Sequence, residues 1–138
     1  MAQQEIAYEK LVSGYEFAPT SFCLDSERVK AYLKAVGGQN AVHQGENIVP
    51  PMAIAALAMA AMSAGLALPP GAIHVSQTLE FMDIVKVGEN LTSHAKVNRK
   101  IERGKFHVLT VGIDVLNQRK AKVISGETSF ILPLTERK

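Results

Sequence analysis

A polar loop between two predicted helices carries the residues of this chain that are best suited to acid–base chemistry. The loop spans residues 39–47 and contains Asn40, His43 and Glu46. Histidine has an ordinary pKa near neutrality, so His43 is the candidate general base. Glu46 is the only carboxylate of the loop and is a second candidate. Asn40 follows a glycine pair, where it suits either a turn or the orientation of a bound molecule. A purely solvated loop is the structural alternative for all three residues.

The remaining histidines and the cysteine indicate no metal or cofactor. His74, His94 and His107 lie in predicted strands, where a structural role is the simplest interpretation. No two of the four histidines are two or four residues apart, so we expect no metal site. A single cysteine, Cys23, excludes an internal disulfide and gives too few thiolates for a zinc cluster. We expect no cofactor.

A long uncharged segment follows the loop. The 33 residues between Glu46 and Glu80 contain no Asp, Glu, Lys or Arg, although 20% of the chain is charged. Residues 52–68 are only Met, Ala, Ile, Leu, Ser and Gly, between two proline pairs. A helix there has almost no polar face and is predicted to be buried all round, with methionines as adaptable core filling. Its abundant alanine and its lack of interfacial anchors favour a protein core over a membrane span.

The residues before this segment predict one amphipathic helix. Residues 1–22 are mixed in character and suggest one or two short edge strands. Asp25 or Ser26 can cap the helix, because a side-chain oxygen accepts a hydrogen bond from an otherwise unpaired amide. Gly37-Gly38 then ends it. Its predicted apolar face consists of Val29, Tyr32, Leu33 and Val36.

After Pro70 the apolar residues recur at every second position, which predicts strands with one buried face. We predict four strands, at residues 73–81, 91–101, 106–116 and 121–132. Turns are predicted at residues 102–105 and 117–120. In the first strand, His74 is predicted to lie opposite the buried side. That buried side is predicted to consist of Ile73, Val75, Gln77, Leu79 and Phe81.

Together these elements predict an α+β hot-dog fold, in which a long antiparallel sheet curls around one apolar central helix. The 138 residues fit a single domain, residues 1–138, and the 47% hydrophobic content excludes a disordered chain. The net charge of +2 and the scattered basic residues give no indication of nucleic-acid binding. The N-terminus has no signal-peptide pattern, so we expect a cytoplasmic protein.

One basic cluster brackets the predicted turn at residues 102–105. It consists of Arg99, Lys100, Arg103 and Lys105. The simplest interpretation is the solvated end of a hairpin. The alternative is attraction of a phosphate-bearing ligand, such as the nucleotide end of coenzyme A.

Several motifs resemble the MaoC-like hot-dog family, which includes (R)-specific enoyl-CoA hydratases and 3-hydroxyacyl-thioester dehydratases. The resemblance spans about residues 8–133. It implies a hot-dog fold and an acyl-CoA or acyl-carrier-protein thioester as ligand, with the pantetheine arm between subunits. The similar segments are Leu68-Pro69-Pro70-Gly71, His74, Ser76-Gln77, Phe81, Val87-Gly88-Glu89-Asn90-Leu91, and the tail from Asn117-Gln118 through Gly126 to Pro133.

The resemblance also implies a catalytic arrangement. Hydratases of this kind carry an Asp, an Asn two residues later and a His five residues later in the loop after the first helix. Asn40 and His43 match the last two positions, whereas Gly38 stands where the family has Asp. The family's His-Gly pair at the start of the central helix supplies an amide that polarises the thioester carbonyl. This chain has Pro50-Pro51 there, and proline has no N–H. Glu46 could replace the missing carboxylate.

Three functions therefore stay open. The chain is a lyase that hydrates or dehydrates an acyl-CoA, or a non-catalytic thioester-binding subunit of a heteromeric dehydratase, or, as a weaker alternative, a thioesterase. In each case we expect a homodimer or a heterodimer with a related hot-dog subunit. The candidate catalytic residues are His43, Asn40 and Glu46. The candidate substrate-binding residues are Val49, Pro51, Met52 and His74.

Overall fold

The computed structural model describes residues 6–7, 10–37 and 47–133. It contains two helices, α1 (Ser26–Ala35) and α2 (Pro51–Ala64), and seven strands. Two of the strands form a small parallel pair, β1 (Ile6–Ala7) with β3 (Leu66–Ala67). The others form one antiparallel sheet in the order β2-β5-β6-β7-β4. These strands are β2 (Thr20–Cys23), β4 (Ile73–Phe81), β5 (Asn90–Arg103), β6 (Phe106–Asn117) and β7 (Lys122–Pro133).

Helix α1 begins and packs largely as its sequence predicts. The Asp25 side chain accepts a hydrogen bond from the Arg28 amide at 2.8 Å, which confirms Asp25 as the N-cap. Val29 and Leu33 are buried. Val36 was predicted to lie on the same face, but it is the C-cap and is 58% exposed, because the helix has already ended at Ala35. The helix therefore buries one face over little more than one turn.

Helix α2 is buried on one side only, so the prediction of burial all round is wrong for the single chain. Its 14 residues run from Pro51 to Ala64 and end at Gly65, earlier than the predicted residue 68. Ala53, Ile54, Ala55, Ala58 and Met62 face the sheet and are buried. The other side is apolar but exposed, because the sheet covers only one flank of the helix. Exposed there are Pro51, Met52, Ala56, Ala60, Ser63 and Ala64.

The methionines of α2 differ in their surroundings. Met62 is a core residue and Met59 is half-buried, as expected for core filling. Met52 is 51% exposed, so the same expectation is wrong for Met52. Among the described residues, no helix is both long and apolar enough to span a membrane.

The four long strands confirm the predicted β-rich second half. β4 has its predicted bounds, β5 is three residues longer than predicted, β6 is one residue longer, and β7 has the predicted length but begins and ends one residue later. The Thr128 hydroxyl lies 3.3 Å from the Met59 sulfur of α2, which identifies the face of β7 that looks toward the helix. We call this the inner face of the sheet and the opposite one the outer face. The core lies between the inner face and α2.

A bulge changes the faces of β4. Its pairing with β7 shifts register between His74 and Ser76, so Val75 is an extra residue. His74 pairs with Phe130 and Gln77 with Thr128, and both partners lie on the inner face. His74 therefore shares the inner face with Gln77, contrary to the predicted alternation. Ile73 pairs with Ile131 on the outer face and is 58% exposed, so its predicted place on the buried side is also wrong.

Candidate functional site

The start of α2 is fixed by the segment that precedes it. The Val49 amide donates to the Val85 carbonyl oxygen at 2.8 Å, and the Val87 amide donates to the Asn47 carbonyl oxygen at 3.0 Å. Asn47 adopts φ of 58°, in the left-handed region that asparagine tolerates better than most residues. These contacts hold the C-terminal end of the polar loop beside the first turn of the helix.

The first turn of α2 has fewer backbone N–H donors than an ordinary helix start. Pro50 is the N-cap and offers no side-chain acceptor, and Pro51 is the first helical residue. Neither proline has an N–H, so the Met52 amide is the first donor of this helix end. An N-terminal helix end carries a partial positive charge, which favours a developing negative charge on a ligand oxygen. The proline pair thus leaves the charge of the helix end in place but removes the amide at position 51.

The predicted catalytic residues His43, Asn40 and Glu46 lie outside the described residues, as does Gly38. Their roles stay predictions. Pro51 and Met52 are exposed at the helix start, where a ligand can reach them. Their predicted contact with substrate is likewise untested.

Val49 and His74 differ in how far their side chains are exposed to solvent. Val49 is 1% exposed and belongs to the core, so its side chain contacts other core residues. His74 is exposed at the start of β4; its Nε2 donates to the Ser76 carbonyl oxygen at 3.0 Å. Its ring lies 5.1 Å from the ring of Phe130, centroid to centroid. A substrate contact for either residue stays a prediction.

One chain does not bring His74 to the start of α2. The chain leaves α2 at Ala64 and reaches β4 nine residues later, whereas the segment after β4 returns to the helix start through Val85. β4 thus runs opposite to α2, with His74 toward the C-terminal end of the helix. The 14-residue helix is about 20 Å long. Residues at its two ends can share one site only if a second subunit contributes one of them.

A buried polar contact lies under the middle of α2, and the sequence indicated only half of it. The Thr128 hydroxyl is fully buried and donates to Gln77 Oε1 at 2.8 Å, with Met59 Sδ as a second acceptor at 3.3 Å. Gln77 was recognised as a polar residue on the apolar side of β4. Thr128 was missed, because threonine is common in strands and only its place between inner-face residues reveals it. The contact joins β4, β7 and α2 at one point.

Apolar side chains are exposed both on the open side of α2 and along β4. Among the described strands, β4 pairs only with β7 and is therefore an edge strand. Exposed edges are usually covered by another element or another chain. The large exposed apolar side chains around this edge are Met52, Val75, Phe81, Met82 and Ile84, each 44–61% exposed. The geometry suits the binding of an apolar group or of a second sheet edge.

The comparisons with known proteins agree on the family. The sequence profile described as "FAS1-like, dehydratase domain region" matches residues 12–125. No curated protein matches the chain significantly. The unliganded R-hydratase PhaJ1 from Pseudomonas aeruginosa is 25% identical and superposes with a TM-score of 0.80, covering 99% of this chain and 96% of that one.

Two further solved structures share the fold. The MaoC-like dehydratase from Rhodospirillum rubrum is 20% identical with a TM-score of 0.75, covering 94% of this chain and 97% of that one. A chain of the HadBC complex, a (3R)-hydroxyacyl-ACP dehydratase from Mycobacterium tuberculosis, is 17% identical with a TM-score of 0.68, covering 87% and 96%. The chain therefore belongs to the FAS1-like dehydratase-region family, and its fold is the MaoC-like hot-dog fold.

Proposed function

We propose that this protein binds an acyl-CoA or acyl-carrier-protein thioester at the start of α2 and adds water to, or removes it from, the acyl chain. The observation that carries the proposal is the match to the dehydratase-region family over residues 12–125. The structural match to an R-hydratase, which covers nearly all of both chains, supports it. Both support hydratase or dehydratase chemistry.

The chemistry follows from the residue types at the helix start. In hydration, His43 accepts a proton from water as the water oxygen bonds to the β-carbon of the enoyl thioester. Electron density moves onto the thioester oxygen. As this enolate returns to the thioester, the proton that His43 took from water is delivered to the α-carbon, which restores the neutral base. The Met52 amide and the positive helix end stabilise the charge on that oxygen. Asn40 orients the water, and Glu46 supplies the carboxylate that Gly38 lacks. Dehydration is the reverse sequence.

A second hot-dog subunit completes the site in this proposal. Antiparallel pairing of two β4 edges places the start of one β4 beside the end of the other. The His74 of one subunit then approaches the other subunit's helix start, which it does not reach in its own chain. The apolar side of α2 is covered at the same time. The HadBC dehydratase is named as a complex, which supports pairing with a related chain as well as with a copy.

A second candidate function has its own support. Pro51 is the first residue of α2 and removes the amide at that position, and Gly38 has no side chain to act as a carboxylate. Both features favour a non-catalytic subunit that lends half of a thioester-binding cleft to a catalytically complete partner. The weaker thioesterase alternative would require Glu46 to activate water for attack on the thioester carbonyl.

An assay of crotonyl-CoA hydration distinguishes these three functions. The purified protein is assayed alone and together with any hot-dog partner that co-purifies from the native host, by loss of the enoyl-thioester absorbance. Turnover by the protein alone identifies a lyase, and turnover only with the partner identifies the subunit. Release of free thiol without hydration identifies a thioesterase. Neither turnover nor thioester binding in any of these preparations would refute the proposal.

A further inference from the structure

An apolar row crosses the outer face of the sheet close to the β5–β6 turn. Strand register aligns one residue from each of β4, β7, β6 and β5 in this row. Ile73 is 58% exposed, and the other members of the row are half-buried. A sheet face that meets only water usually carries polar residues, so the apolar row indicates contact with something other than water. The row consists of Ile73, Ile131, Val108 and Ile101.

The β5–β6 turn extends this apolar surface beyond the row. Arg103, Phe106 and Pro133 pair across β5, β6 and β7 in the last row of the sheet. Phe106 lies on the outer face and is 50% exposed. Gly104 and Lys105 are exposed and join the two strands beyond the last row. The turn is therefore the outermost part of this end of the sheet. We call the turn, Phe106 and the apolar row the turn surface.

Three of the four cations around the turn are available to a ligand. Arg99 and Arg103 lie on the outer face on either side of the apolar row, and Lys105 lies in the turn. All three are exposed, and none of them forms an ion pair with another described residue. Lys100 is different, because its ammonium group donates to the Leu11 carbonyl oxygen at 3.1 Å. The turn surface therefore carries positive charge that the described part of the chain does not neutralise.

Carboxylates lie away from the turn surface. Glu102 is the only carboxylate within residues 96–113. It lies on the inner face, 3.4 Å from His107 Nε2. On the described part of the outer face, the nearest carboxylate to the apolar row is Glu127, four residues before Ile131 on β7. That spacing is about 13 Å, which exceeds the Debye length of about 8 Å at physiological ionic strength. The turn surface is thus apolar in the middle and positive at its margins.

This combination fits the surface of an anionic membrane. Apolar and aromatic side chains enter the boundary between headgroups and acyl chains, and Arg and Lys bind the headgroup phosphates. A protein partner would instead place its anchoring side chains in pockets. The turn surface lines neither of the two cavities that the described residues form, which are a groove over Gly112 and Gly126 and a small cavity beside Met62. A surface without a pocket fits a fluid lipid layer better than a folded partner.

We propose that the turn surface attaches the protein to an anionic membrane surface. Phe106 and the apolar row enter the lipid boundary, while Arg99, Arg103 and Lys105 bind the phosphates of the headgroups. The start of α2 lies toward the opposite end of β4, beside Val85. The attached protein therefore keeps the proposed thioester site open to water.

The test is co-sedimentation of the purified protein with vesicles. One set contains phosphatidylcholine only, and the other contains phosphatidylcholine and phosphatidylglycerol in equal amounts. We expect saturable binding to the anionic set at low ionic strength and little binding to the neutral set. High ionic strength should weaken the binding, because salt screens the attraction. Absence of wild-type binding to the anionic vesicles would overturn the proposal and leave an acidic protein as the partner that this surface fits.

Variants without the turn cations locate the bound surface. Arg103→Gln with Lys105→Gln should weaken binding to the anionic vesicles by about 30-fold, because each cation near an anionic surface contributes roughly fivefold. The matched control, Lys30→Gln with Lys34→Gln, removes the same charge from the exposed side of α1. Helix α1 follows β2, which pairs with the opposite end of β5, so the control should bind like wild type. Equal binding by the turn variant and wild type would contradict the proposal.

A fluorescent side chain distinguishes insertion from adsorption. The chain contains no tryptophan, so Phe106→Trp provides a single reporter at the turn. Its emission should shift to shorter wavelength when anionic vesicles are added, because the indole leaves water. Val36→Trp, at the exposed end of α1, is the matched control and should show no shift. A bound Phe106→Trp protein without a shift would rule out insertion at the turn and overturn the proposal.

The wild-type comparison of the two vesicle sets needs no variant, so a variant that fails to fold leaves the test decisive. None of these readouts uses catalysis or oligomeric mass. Membrane binding can therefore fail while the proposed function stands, and the reverse also holds.

Discussion

At the scale of single residues, acid–base chemistry depends on the loop histidine. His43→Ala should lower the rate of crotonyl-CoA hydration by about 10²–10⁴-fold, because that is the usual contribution of a positioned general base. The measurement is kcat/KM for wild type and variant. The control is His94→Ala, an exposed histidine on the outer face of β5. Full activity in His43→Ala would remove this mechanism and direct attention to Glu46.

A second residue-scale prediction concerns the missing carboxylate. Gly38→Asp restores the side chain that the resemblance implies at this position, two residues before Asn40. If Glu46 does not already supply that function, the rate of hydration should rise. Unchanged kcat in Gly38→Asp, combined with a large loss in Glu46→Gln, would show that Glu46 has taken over the role.

Residue-level inference from the sequence succeeded where the contact is local. Asp25 was predicted as a cap because its partner amide is three residues away. The Thr128–Gln77 contact joins residues 51 positions apart, and no local pattern specifies that pairing. The candidate loop residues were selected by type and spacing alone, and their predicted roles are untested.

At the scale of elements, Gly126 of β7 lies close to the backbone of β4. Gly126→Ala should destabilise the protein by about 1–3 kcal/mol, because the added Cβ would collide with the Thr78 carbonyl oxygen and separate the strands. The measurement is the free energy of unfolding in urea. Gly112→Ala is the matched control, since its Cβ meets only the movable end of the Asn98 side chain and should cost less. A larger loss at Gly112 would contradict this assignment.

The spacing of apolar residues along the sequence was enough to predict which segments are strands. It was not enough to predict which residues of β4 lie on each face of the sheet. The switch to a period of two correctly predicted four strands. The bulge at Val75 depends on pairing with β7, more than fifty residues later, and it moves His74 to the inner face and Ile73 to the outer face. Similarly, the composition of α2 indicated burial all round, but the single chain buries only one side of the helix. For this reason a larger side chain at Ala60 is not expected to overpack the core of a single chain.

At the scale of the whole molecule, the open side of α2 and the β4 edge are expected to form a subunit interface. Ala56→Glu places a charge on this apolar surface and should halve the mass observed by light scattering. Ala31→Glu, on the exposed side of α1, is the matched control and should leave the mass unchanged. A wild-type protein that is monomeric at micromolar concentration would contradict the β4 interface.

The central claim is that an acyl thioester binds in a cleft at the start of α2 that two subunits share. The most direct measurement is equilibrium titration of the protein with crotonyl-CoA, comparing wild type, Ala56→Glu and Ala31→Glu. We predict saturable binding by wild type and Ala31→Glu, and loss of binding by Ala56→Glu in parallel with its loss of mass. Absence of binding by wild type, with or without a co-purifying partner, or equal binding by a monomeric Ala56→Glu, would contradict the claim.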